Sequence, residues 1–246
     1  MITIFTDGSS RGNPGRGGWG SVVVSDHYVA EFGGREDMTT NNRMELVAAI
    51  RGLGGALGPE FGALVEAGHQ VKVNSDSSYV INGITKWVFG WVRNDWVSSQ
   101  KEPVLNKDLW QELLQAVLLV EKKGGAKIRW NYVGGHVGII GNERCDEIAT
   151  SFADNDPTLL YVGPRSGYGY KNILDIDAVV SRVVAKKSSK SKGPAFSYVS
   201  RVGGVIETHN TWAECEARVK GAAGARFKKA MNAMDEAVIK AEFAGE

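Results

Sequence analysis

Four acidic residues stand where carboxylates can do chemistry: Asp7 in ITIFTDGSSRGNPG, Glu45 in TTNNRMELVAAI, Asp76 in VKVNSDSSYVINGI and Asp146 in GNERCDEIAT. Three sit where a strand is predicted to end or a helix to begin, and the fourth just inside a later helix. Scattered carboxylates are usually solvated surface charges. Three of these neighbour apolar strand or helix residues, where an isolated charge is costly to bury. Divalent metal ions would offset that cost, and hard oxygen ligands suit Mg²⁺. His136, in GGHVGIIGN, adds an imidazole that titrates near neutral pH and can move protons. A lone loop histidine is otherwise an ordinary surface residue.

The elements that must hold these groups are readable from periodicity. Residues 2–7 alternate as a strand that delivers Asp7 at its C-terminal end, followed by the glycine-rich turn GSSRGNPGRGG. WGSVVVSD and YVAEFGGRE form a hairpin. A helix with the apolar stripe Met44, Val47, Ala48 and Ile50 carries Glu45 in its first turn, capped by Asn41 or Asn42 and ended by Gly54-Gly55. QVKVNSD is a strand closed by Asp76. DLWQELLQAVLLVEKK is helical, KIRWNYV is a strand, and NERCDEIATSFADND is a helix carrying Asp146. The expected fold class is α/β: a mixed five-stranded sheet, three antiparallel strands then parallel ones, with helices on both faces. Ligands gather at the carboxyl ends of such strands, where Asp7 and Asp76 would lie.

Composition bounds the rest. The 246 residues carry a net charge of +1 and only two cysteines, Cys145 and Cys215, so a disulfide framework or structural zinc site is not expected. No signal-like or membrane-length apolar segment is read, and a cytoplasmic monomer is the default expectation. Residues 1–155 read as one domain and 156–195 as a linker containing KKSSKSKGP. Residues 196–246 read as a second, small α/β unit.

Five motifs, TDGSSRGNPGRGGWG, TTNNRMEL, SDSSYVINGITKWV, NKDLWQEL and GHVGIIGNERCDEIA, in this order and spacing, resemble type 1 ribonuclease H over nearly all of residues 1–155. The resemblance implies the ribonuclease H fold and hydrolysis of the RNA strand of RNA–DNA hybrids, leaving 5′-phosphate and 3′-hydroxyl ends. It places Asp7, Glu45, Asp76 and Asp146 on the family's carboxylates for two Mg²⁺ ions, with Mn²⁺ the alternative. Asp7 would bridge both ions, Glu45 and Asp76 would hold the ion near the leaving group, and Asp146 the one near the attacking water. His136 falls on the family's flexible-loop histidine, which assists proton transfer or product departure. Ser10, Asn13, Asn41 and Asn42 are candidates for the RNA strand, where the 2′-hydroxyl separates RNA from DNA. Thr40 is a candidate for a DNA phosphate. The structural alternatives are that Asn13-Pro14-Gly15 is simply a turn and Asn41 or Asn42 simply a cap.

TKWVFGWVRNDWVSSQKEP resembles the family's basic protrusion along the DNA strand, with Trp91 and Trp96 as candidate contacts. Its charge is thin: Lys86, Arg93 and Lys101 face Asp95 and Glu102. Tryptophans at helical spacing are otherwise core. The C-terminal unit resembles the hybrid-binding domain that usually precedes the catalytic domain in eukaryotic ribonuclease H, through Tyr198, Trp212, Phe227, Lys228 and Lys229. It departs from that pattern at VGGVIE and Ala230. Between Lys186 and Lys229, ten Lys/Arg stand against three Asp/Glu, which favours phosphate attraction with stacking. The rivals are a DNA-cleaving or strand-transferring nuclease on the same fold, and a binding module without catalysis. The asparagine-rich motif before Glu45 opposes the first, and the complete carboxylate set opposes the second.

Overall fold

The computed structural model describes residues 1–135, 138–176 and 195–244. They divide into two compact units whose boundary falls within residues 177–194, outside the described residues.

In the first unit β1 (Ile2–Gly12), β2 (Gly15–Val24) and β3 (Tyr28–Thr39) form an antiparallel meander. The segment expected as a glycine-rich turn is therefore mostly strand. Arg11 pairs with Arg16 and Gly12 with Gly15, and only Asn13 and Pro14 turn the chain. Glycine is depleted in strands, yet two helices approach this hairpin too closely for side chains. β4 (Val71–Ser75) joins β1 in parallel and β5 (Arg129–Tyr132) joins β4 in parallel. The five strands have the expected mixed arrangement, and a short sixth, β6 (Val162–Pro164), completes the order β5-β4-β1-β2-β3-β6.

The alternation of β1 sorts the core. Ile2 and Ile4 pack with α1 (Asn41–Ala56) and α5 (Lys107–Gly124), while Phe5 packs with the α6 (Ile140–Ala153) side. Thr40, not Asn41 or Asn42, caps α1: its hydroxyl accepts from the Arg43 amide and its φ is extended. The helix also runs through Gly54-Gly55 to Ala56, because Gly52 and Gly55 lie against Ile4 and Phe32, where tertiary contact outweighs propensity. After the short α2 (Gly62–Glu66), the region past Asp76 winds as α3 (Ser78–Asn82), a π turn over Gly83–Trp87, and α4 (Val88–Arg93).

Residues 157–176 depart from the linker reading. β6 pairs with the β3 edge, and Tyr168, Ile173 and Ile176 are buried in the α6-side core. Proline and glycine make this stretch look like loop, but its aromatic and branched residues cover apolar surface that β3 and α6 would otherwise expose.

The second unit has a three-stranded antiparallel sheet, order β8-β7-β9: β7 (Ser197–Val202), β8 (Val205–His209) and β9 (Arg226–Ala230). Gly203 and Gly204, both at positive φ, make the tight β7–β8 turn. α7 (Trp212–Val219) opens with a reciprocal Thr211–Glu214 capping box, and α8 (Ala233–Ala244) packs Ile239 and Phe243 on Val199 and Ala230. No helix among the described residues is long and apolar enough to cross a membrane.

Candidate active site

Register brings the first two carboxylates together. Thr6 of β1 stands opposite Ser75 of β4, so the next residues, Asp7 within β1 and Asp76 just past the end of β4, come side by side. Glu45 arrives from α1 because Gly8 has no side chain. A Cβ there would sit 2.5 Å from the Met44 carbonyl carbon and closer still to the Glu45 nitrogen. A similar approach seats α6: a Cβ on Gly20, which pairs with Asp7, would come within 2.9 Å of Ile148 Cβ. Ligand oxygens of Asp7, Glu45 and Asp76 all lie within 4.8 Å of one another, the one such cluster among the described residues. Asp146, half-buried on α6, is outside that set but close enough for its charge to act on Asp7.

The electrostatics are those of a site short of positive charge. Burial, then Asp76 and Asp146, push the Asp7 carboxyl up to about 8, against a small opposing pull from the Gly8 N–H. Burial, then Asp7 and Asp76, raise Glu45 well above the ordinary carboxylate range. The Gly8 amide donates to Asp7 Oδ1 at 2.7 Å, and Asn41 Nδ2 donates to Glu45 Oε1 at 3.4 Å. Glu45 Oε2 is buried without a partner. Buried acceptors are normally satisfied. An orphaned carboxylate oxygen facing two further carboxylates fits a hard divalent cation, with Asp7, Glu45 and Asp76 as its holders.

The other sequence candidates are placed as follows. Ser10 is half-buried on β1, Asn13 is exposed at the hairpin tip, and Asn42 is exposed in the first turn of α1. Asn41 and Thr40 already serve Glu45 and the α1 cap. Trp91 is half-buried, edge-on to Trp110 at 5.3 Å and 5.8 Å from Trp87. Trp96, in contrast, is only 9% exposed and belongs to the core, so it offers no face to a strand; burying a large indole outweighs leaving it in water. His136 lies outside the described residues. In the second unit Trp212 contacts Tyr198 at 5.6 Å and Phe227 at 5.0 Å, with Trp212 and Phe227 both exposed. Lys229 pairs with Tyr198 in the sheet, and Lys228 Nζ meets Glu242 at 2.5 Å. Sequence reasoning missed Gly8 and Gly20; their signal was a glycine beside an acidic strand end and its hairpin partner.

Against known families, the ribonuclease H family matches residues 1–154. The chain belongs to the ribonuclease H family. It is a ribonuclease H enzyme, and its relatives agree along the catalytic part. The ribonuclease H of Erythrobacter litoralis is 46% identical over 153 residues, 62% of this chain and 96% of that protein. The ribonuclease H of Cyanothece sp. is 49% identical over 152 residues, 61% of this chain and 87% of that protein. The solved structure of LC9-RNase H1, described as a type 1 RNase H with the type 2 active-site motif, is 27% identical with a TM-score of 0.51, covering 75% of this chain and 84% of its own. Residues 198–233 match a second family, the ribonuclease H1 N-terminal domain, here at the opposite end of the chain.

Proposed function

We infer that this ribonuclease H is an endoribonuclease that hydrolyses the RNA strand of RNA–DNA hybrids, leaving 5′-phosphate and 3′-hydroxyl ends, with Mg²⁺ as its natural ion. The observation that carries the reading is the cluster of buried Asp7 and Glu45 with half-buried Asp76, in which one Glu45 oxygen has no partner. Divalent ions bound there supply relief of charge on the leaving oxygen and a more acidic water. The chain's own contribution is preorganisation. Gly8 fixes one Asp7 oxygen and Asn41 one Glu45 oxygen, so the remaining lone pairs stay aimed at the gap between them. Burial keeps bulk water from screening these charges. Asp146 on α6 completes the set of four, and His136 serves as the proton-handling residue.

The substrate would be held without base readout. Ser10, Asn13 and Asn42 face the RNA strand, Thr40 a DNA phosphate, and Trp91 the DNA side. Residues 1–155 with their strap form the catalytic domain, and 196–246 a hybrid-binding domain using Tyr198, Trp212, Phe227, Lys228 and Lys229, where Tyr198, Phe227 and both lysines share one small sheet and Trp212 of α7 packs on the two rings.

The test is cleavage of end-labelled RNA–DNA hybrid, RNA duplex and DNA duplex, with Mg²⁺ or with EDTA, by the wild type and Asp7→Asn. The reading expects cutting of hybrid RNA only, dependent on Mg²⁺ and reduced at least 10³-fold by the substitution. Near-full activity of Asp7→Asn, or equal cutting of duplex DNA, would overturn it.

A further inference from the structure

The chemistry above leaves one buried ion pair unused. Glu31 on β3, wholly inaccessible, takes Arg144 Nε and Nη2 of α6 in a two-pronged pair, both at 2.8 Å, and Arg144 itself is 5% exposed. Charges this deep are tolerable only when their other hydrogen-bonding capacity is met. The strap of residues 157–176 meets it. Tyr168 OH and the Tyr161 amide (2.9 Å) donate to Glu31, and the Leu159 carbonyl accepts from Arg144 Nη2 at 2.8 Å. Tyr170 OH donates to Glu147 Oε2 at 2.6 Å and accepts from Arg144 Nη1 at 3.2 Å, with its ring 5.0 Å from the guanidinium. Arg144 also meets Glu147 at 2.8 Å.

The strap thus grips α6 at residues 144 and 147, and Asp146 lies on the same turn between them. Covering the β3 edge would need only the Val162–Pro164 ladder. The additional bonds go to Arg144 and Glu147, on the turn that bears the fourth carboxylate, and to Glu31, which holds Arg144 from β3. Among the described residues, Asp146 itself has only a long bond from Thr150 Oγ1, at 3.4 Å, to steady it.

We propose that the strap, acting through Glu31 and Arg144, sets the position of Asp146 beside the three-carboxylate cluster, which makes Tyr168 and Tyr170 positioning residues for divalent-cation binding. This rests on the metal reading of the cluster given above. Groups behind a metal ligand typically change cation affinity 10–100-fold when removed. Here they act through a helix turn, so the lower end applies.

The test is calorimetric titration of the full-length protein with Mg²⁺ alone, beside its Mg²⁺-dependent kinetics on hybrid. The Tyr168→Phe/Tyr170→Phe protein keeps both rings and loses only the hydroxyls. It should bind Mg²⁺ about 10-fold more weakly and need correspondingly more Mg²⁺ for half-maximal kcat, with KM for hybrid unchanged. Tyr161→Phe is the control. It loses a 2.6 Å bond from Tyr161 OH to the Pro164 carbonyl within the strap, a bond that does not reach α6. It should lower the melting temperature while leaving Mg²⁺ affinity at the wild-type value. Tyr170→Phe alone keeps Tyr168 on Glu31 and should give an intermediate loss. Wild-type affinity in the folded double variant, or an equal loss in Tyr161→Phe, would overturn the proposal while leaving the metal reading intact. Absence of Mg²⁺ binding by the wild type would remove both together.

Discussion

Asp7 and Glu45 are carboxyl groups whose proton the folded chain holds more tightly than the unfolded one does. The Asp7 value moves from an ordinary 3.8 to about 8, burial first and neighbouring carboxylates second. The sign of the linkage follows. Between those two values the folded state holds a proton that the unfolded chain has released, so this group's contribution to stability is present at low pH and is lost as pH rises through about 8. In EDTA the melting temperature of Asp7→Asn minus that of wild type should therefore grow as pH is raised from 5 to 8.5. A difference independent of pH would contradict the assigned burial. Cation binding runs the opposite way, because ligands must shed protons first. The stabilisation given by a fixed Mg²⁺ concentration should increase over the same range. The three acids that cluster, Asp7, Glu45 and Asp76, were legible in the sequence because each sits in its own motif, while Asp146 stands outside their cluster. Their electrostatic state was not, since it arises from the approach of residues far apart in the chain.

At the scale of elements, the site exists because β1 lets helices come close. Gly8→Ala would drive a methyl into the α1 backbone at Met44 and Glu45. A destabilisation of about 1–3 kcal/mol is expected from such overpacking, with hybrid cleavage falling further than the unfolded fraction explains, as Glu45 is displaced. Denaturant melts beside kcat at full folding separate the two effects. An active, equally stable Gly8→Ala would contradict the packing account. Strand alternation in β1, the apolar stripe of α1 and the strong periodicity of α5 made these elements readable. Three features were not. The hairpin arms 8–12 and 15–18 read as turn because their glycines serve contacts with α1 and α6. Thr40 took the cap from Asn41 and Asn42, whose choice depends on where the β3 strand lets the chain go. Trp96 turned inward in a segment whose composition fits either a core or a nucleic-acid face.

Across the whole molecule, a boundary at residue 155 would separate β6 and the strap from the first compact unit they pack with. A chain ending after Ile176 retains the strap and should keep its kcat on hybrid. Its KM should rise several-fold at physiological salt, and its salt dependence should flatten as the lysines and arginines of the second unit are lost. An unchanged KM would argue against a hybrid-binding role for residues 196–246. A chain ending after Asp156 leaves Glu31 and Arg144 without Tyr168, Tyr161 and Leu159. It should be less stable than the longer truncation by about 3 kcal/mol or more, since buried groups stripped of partners cost about 1–3 kcal/mol each. Proline and glycine hid this strap from sequence reasoning, because its worth lies in a charge pair between β3 and α6 that no local pattern announces.

The central claim is that the clustered carboxylates grip divalent cations, and anomalous diffraction tests it most directly. Crystals soaked in Mn²⁺ at pH 8 should show an anomalous peak in contact with Asp7, Glu45 and Asp76, with Glu45 Oε2 among its ligands. A map with the three side chains ordered, Mn²⁺ present and no peak between them would contradict the account.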